Sequence, residues 1–214
     1  YGGRLSSVLD IRMREGNTKQ FSGRGGLGII SSRATLEGPL WNEKISTMVA
    51  ARRTYLDLFL PLASDESVQE SQLFFYDLNA KVNYRINDNN RVFLSGYFGR
   101  DVFGSEFASM GYGNGTSTIR WNHLFSKKLF SNLSVVYSNY FYSLGTAENE
   151  PNSFVWDAGL SDLTVKYDLT YFHSQKLTIK YGMQGMLHVF QPGHARGTGD
   201  NTSFGSIKVP INRS

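Results

Sequence analysis

The chain has 214 residues, a net charge of +4 and no cysteine. That excludes a disulfide framework, a thiolate metal site and a cysteine nucleophile, and a mild charge without a basic run gives no footing for nucleic-acid binding. Hydrophobic residues make up 40% while aromatics reach 14%, with 12 Tyr and 15 Phe, a balance that suits strands flanked by aromatic girdles.

No stretch approaches the ~18 apolar residues of a membrane-spanning helix, but barrel strands need only ~9–11. Residues 1–17 read as a strand leading into the next segment. Leu5, Val8, Leu9, Ile11 and Met13 sit among polar residues before a turn at Glu15-Gly16-Asn17. Residues 20–38 read as one long glycine-rich strand, with Phe21, Gly23, Gly25, Leu27 and Ile29 in one phase. At Ala34 and Leu36 the phase switches, as at a bulge. After a turn at 38–45, residues 45–60 form the return strand, ending in Leu56, Leu58, Phe59 and Leu60.

The clearest period of two follows. Phe74, Tyr76, Leu78, Ala80, Val82, Tyr84 and Ile86 fall on one face, and Asp77, Asn79, Lys81, Asn83 and Arg85 on the other. This strand, 73–86, turns at Asn87-Asp88-Asn89-Asn90 into strand 91–103. Further strands are expected at 116–126, 129–142, 162–173 and 176–190. Short turns at 38–45, 87–90, 126–129 and 173–176 alternate with long loops at 61–72, 104–115, 143–160 and from Gln191 onward.

About eight strands in this rhythm predict an all-β, antiparallel transmembrane β-barrel, with short periplasmic turns and longer outer loops. The polar phase carries Asp77, Lys81, Arg85, Lys166, Asp168 and Lys180. In a soluble sandwich these would face water, and in a barrel they would line the lumen. Loop asymmetry and strands longer than the usual ~5–6 residues favour the barrel.

The segments YGGRLSSVLDIRMREGN, GLGIISSRATLEGPL and ARRTYLDLFL resemble TonB-dependent outer-membrane receptors of Bacteroidetes type, in the branch with a carboxypeptidase-regulatory-like domain. The resemblance is carried by residues 1–60. It implies that residues 1–17 are the C-terminal end of the plug domain and 18–214 the N-terminal part of a barrel of roughly 22 strands around a plugged lumen. The chain then reads as a fragment, with the TonB box and most of the plug upstream.

The implied function is TonB-dependent import of a scarce nutrient across the bacterial outer membrane by loop and plug binding and gated plug movement. Siderophore, cobalamin, oligosaccharide and peptide substrates are all open. Implied partners are the TonB complex through the parent protein, membrane lipid and a surface lipoprotein, with no nucleic acid. The alternative is a complete small eight-stranded barrel acting as anchor or adhesin. A soluble β-sandwich binding module is a third reading.

No catalytic set is visible, so the chain is not read as an enzyme and no cofactor is expected. His123, His173, His188 and His194 show no metal-ligand spacing. The glycine run Gly23–Gly28 is followed by β-like sequence rather than the helix a phosphate loop requires. Asp65, Glu66, Glu70, Glu148 and Glu150 read as solvated loop acids. Asp88-Asn89-Asn90 is a turn without the downstream Glu of a calcium loop. No GxSxG elbow occurs.

Arg53, Tyr55 and Asp57 would share one strand face beside Arg52, as a polar set contacting plug or substrate. The alternative reading is a plug-to-barrel salt bridge, with Asp10 or Glu15 as the partner. Arg4, Asp10, Arg52, Arg53 and Asp57 are the candidate plug–barrel residues. Tyr84, Phe93, Tyr137, Phe141, Tyr171 and Phe190 read as girdle aromatics.

Overall fold

The computed structural model describes residues 13–146, 153–198 and 207–213. Alternation dominates these residues and yields one antiparallel sheet of eleven strands. They are β1 Ser22–Leu27, β2 Ser31–Leu40, β3 Asn42–Thr54, β4 Gln72–Asn87, β5 Asn90–Gly104, β6 Ala108–Ser126, β7 Leu129–Thr146, β8 Phe154–Phe172, β9 Thr178–Gly197, β10 Ile207–Lys208 and β11 Asn212–Arg213. Neighbours in sequence are neighbours in the sheet from β1 to β10, and β11 also pairs with β9. Among the described residues β1 pairs only with β2, so the sheet is open and no barrel closes.

Several boundaries differ from the sequence-based expectations. Residues 20–38 form a hairpin rather than one strand. Gly28 N–H donates to Ser31 O at 2.8 Å, and Leu27 pairs with Ser32. The odd-numbered face of β1 therefore continues on even-numbered positions of β2, which is the origin of the phase switch.

The return strand stops at Thr54 instead of running to residue 60. Leu56–Leu58 and Leu60–Leu62 are two 3-10 turns, with Pro61 in the first turn of the second. The consecutive apolar run Leu58-Phe59-Leu60 cannot serve a strand with one apolar face.

The expected loop at 104–115 shrinks to residues 105–107. Ser105 N–H donates to Ala108 O at 2.8 Å, and the glycine-rich residues after it belong to β6. A Cβ at Gly113 would meet the Phe141 ring across the pair, so any side chain there would push that ring aside. Of the expected loop at 143–160, residues up to Thr146 belong to β7 and those from Phe154, Trp156 included, to β8. The segment from Gln191 continues β9 to Gly197. The connection 55–71 is the long one among those fully described, so the loop asymmetry is weaker than the sequence suggested.

The short turns are built by local side-chain acceptors, as expected for Asn and Ser. Asn87 Oδ1 accepts from Asn89 N–H and Asn90 Nδ2, each at 3.0 Å. Ser126 Oγ takes Lys128 N–H, and Ser174 Oγ takes Lys176 and Leu177 N–H. Trp41 alone links β2 to β3, in the left-handed region at φ 62°.

The register gives the sheet two chemically distinct faces. One row runs Val82–Leu94–Ile119–Val135–Val165, and the next Tyr84–Val92–Trp121–Leu133–Tyr167–Met183. These side chains are exposed to a degree unusual for apolar groups: Ile119 at 54% and Met183 at 73%. On β8 the apolar stretch Leu163–Tyr171 occupies the half nearest the short turns. Towards the loop end the same face turns to Asp157, Gly159 and Ser161. The opposite face carries Asp77, Lys81, Asn83, Arg120, Asp162, Lys166 and Asp168, and its buried patch centres on Met48 and Phe93.

Candidate functional site

The polar face is covered at one place. Residues 13–17 form no strand and lie across β2–β4. Arg14 Nη2 donates to Glu37 Oε1 at 2.9 Å, and Ser22 Oγ donates to the same oxygen at 3.1 Å. Lys81 Nζ donates to the Met13 carbonyl at 2.9 Å, and Asn83 Nδ2 to Glu15 Oε2 at 2.9 Å. Gly16 presses on the Thr47 backbone, where a Cβ would overlap the carbonyl.

Glu37, Ser46, Lys81 and Asn83 are consequently buried, although each sits on a strand face that would otherwise be open. The Lys81 ammonium is also 5.7 Å from the Phe93 ring centroid, and the Arg120 guanidinium is 4.4 Å from it. Buried charge is tolerated only when paired and hydrogen-bonded. Residues 13–15 supply those partners, so the segment and the strand face are complementary. The separation of 68 residues between Lys81 and Met13 explains why no local motif announces the contact.

Of the expected contact residues, Arg52, Arg53 and Asp57 are among those described. Arg4 and Asp10 lie outside the described residues, as do Glu148 and Glu150. Arg52 and Arg53 project to opposite faces, because they are adjacent in β3. Arg52 Nε pairs with Asp77 Oδ2 at 2.7 Å on the polar face and stacks on Phe75. Arg53 lies over Phe74 on the other face and pairs with Asp57 at 3.5 Å. Tyr55 and Asp57 are beyond the end of β3, so the expected set of Arg53, Tyr55 and Asp57 on one strand face does not form. Glu15 meets Asn83 rather than these arginines.

The loop half of the polar face is a second zone. Tyr97, Asp101, Tyr112, Asn114, Tyr140, Tyr142 and Asp162 all fall on it by register. His188 Nδ1 lies 2.6 Å from Asp162 Oδ1, while His123 Nδ1 lies 2.8 Å from Asn90 Oδ1 beside Trp121 and Phe125. Phe93, expected as a girdle aromatic, is buried on the polar face instead. In the long connection, Asp65 caps the short helix α1, Glu66–Gln69. Hydrogen bonds from the Ser67 hydroxyl at 2.7 Å and the Ser67 N–H at 3.0 Å hold its carboxyl below the usual range.

Among the described residues no three His, Asp or Glu side chains gather as a metal site, and no helix is long and apolar enough to cross a membrane. No protein-family model, curated protein or solved structure matches the chain.

Proposed function

We propose that this chain forms part of the wall of a TonB-dependent outer-membrane importer, with residues 1–17 as the end of its plug. One observation carries the reading. A segment preceding the first strand is seated by buried polar contacts on the polar face of a sheet whose other face is apolar and exposed. A soluble sheet of this kind would hide its apolar face and wet its polar one. The reverse arrangement suits lipid outside and a filled lumen inside.

The length of the apolar stretch agrees. On β8 it runs Leu163–Tyr171, close to the ~9–11 residues that a tilted strand needs to cross the hydrocarbon. Strands of 19, 18, 19 and 20 residues (β6–β9) would then rise past the membrane on the loop side. In this reading the open edges are completed by further strands of the parent barrel. The mechanism is binding and gated plug movement driven through TonB, with no chemistry in this chain.

Outer-membrane fractionation with peptide mapping tests it. The expected product is several times larger than 24.1 kDa, and uptake of its nutrient stops when TonB is deleted. A product of about 24.1 kDa with TonB-independent function would overturn the reading and favour a small anchor or adhesin barrel.

A further inference from the structure

The polar face is zoned by charge. Its turn half carries Lys81 and Arg85 on β4, Arg91 on β5, Arg120 on β6, Lys166 on β8 and Lys180 on β9. The loop half of β5–β8 carries neither Lys nor Arg on this face. Its residues there include Tyr97, Asp101, Tyr112, Asn114, Tyr140 and Tyr142.

Register sets the neighbours. Asp101 sits directly opposite Tyr112, and Tyr112 directly opposite Tyr142, whose ring centroid is 6.2 Å from that of Tyr140. The Tyr97 hydroxyl lies over Gly99, between Tyr97 and Asp101 on the same face, within electrostatic reach of Asp77, Asp101, Arg52 and Tyr112. Nearby acids have side-chain partners: Asp77 pairs with Arg52 at 2.7 Å, and Asp162 Oδ1 lies 2.6 Å from His188 Nδ1. Asp101 has no ion pair among the described residues. Asn114 Oδ1, opposite Tyr140, is buried without a hydrogen-bond partner among them.

Tyrosine faces attract cations through the ring quadrupole, and an unmatched carboxylate adds a full opposing charge. An orphan amide oxygen calls for a donor. We propose that this zone binds a cationic, donor-rich ligand, an exposed ammonium or guanidinium such as a basic peptide presents, with Asp101 as counter-ion and Tyr97, Tyr112 and Tyr142 as the surrounding wall. The proposal deepens the import reading and rests on it for the claim that this face lines the lumen. Anionic metal chelates are repelled here, and a neutral glycan gains nothing from the Asp101 charge.

The test is equilibrium binding to the native gene product in detergent micelles, using tri-lysine, tri-glutamate and maltotriose. Tri-lysine binding is expected, weakening with salt. Asp101→Asn and Tyr112→Leu each weaken it by about tenfold, while Tyr142→Phe, which keeps the ring, changes it by less than about twofold. Retained heat-modifiable gel mobility shows that each variant folds. Tri-lysine binding no better than tri-glutamate or maltotriose, or unchanged in a folded Asp101→Asn variant, overturns the proposal. Uptake separates the two readings. Asp101-dependent binding with TonB-independent uptake keeps the site and removes energised import.

Discussion

Strand β8 places Leu163, Val165, Tyr167 and Leu169 on one face and Asp162, Thr164, Lys166 and Asp168 on the other. Backbone geometry is shared, and only the alternation of side chains separates the two surfaces. The apolar surface is left exposed: Leu163 is 42% and Val165 44% accessible. The polar surface instead acquires the buried cluster around Lys81, Asn83 and Phe93. Which face is covered is therefore decided by a partner, residues 13–17, and not by hydrophobicity. An exposed apolar face of this extent needs a non-aqueous neighbour or a further apolar surface.

The sharpest way to break the comparison is a charge moved by one residue. Val165→Arg is expected to cost about 2–4 kcal/mol if its face meets lipid, and Thr164→Arg on the polar face less than about 1 kcal/mol. Urea titration in micelles, followed by gel mobility, measures both. Equal costs would remove lipid as the neighbour of the apolar face.

The covered patch comes next. Gly16→Val forces a side chain into the Thr47 carbonyl and is expected to cost about 1–3 kcal/mol. Lys81→Met leaves the Met13 carbonyl without its donor and is expected to cost a similar amount, about 1–3 kcal/mol. Both variants should speed tryptic cleavage after Arg14, because the segment lifts from the strands. Unchanged cleavage would mean that these contacts do not hold it.

The smallest expected effect lies off both faces and serves as a control. The Asp65 carboxyl has a lowered pKa in the folded chain, so its capping contribution is present above the ordinary carboxylate range. That contribution is lost as pH falls through the lowered value. Amide exchange at Ser67 should quicken in acid in the native chain. In Asp65→Asn the acceptor stays and the pH dependence goes. Neither change should alter the sheet.

Much of the strand pattern was legible because a period of two survives in any strand with unlike faces. Strand β4 was placed to within a residue at each end for that reason. Some boundaries moved where a non-local partner fills in for missing alternation, others where a local turn intervened. Pairing with β5 and β7 on both sides keeps a glycine-rich stretch in β6, and pairing with β8 carries β9 past Gln191. Leu58-Phe59-Leu60 looked like strand by hydrophobicity, yet the local bonds of two 3-10 turns and Pro61 took precedence.

For the candidate sites the division is similar. Lys81, Asn83 and Asp77 were identified as polar-face residues from alternation alone, and Glu15 was considered as a partner. What the sequence could not supply was the pairing. Arg53, Tyr55 and Asp57 were expected on one strand face, but β3 stops at Thr54, so only Arg53 of the three lies on it. The tyrosine zone has no local sequence signature because its members come from three strands, and only the register sets Asp101, Tyr112 and Tyr142 side by side.

By itself, then, the sequence determined the all-β class, the antiparallel hairpin order and the chemistry of each face, because these depend on local periodicity and turn residues. The tertiary structure decided, for the described residues, the eleven-strand count, the open sheet, the seating of residues 13–17 and the charge zoning. Each of these depends on which residues meet across strands, and that is set by long-range pairing.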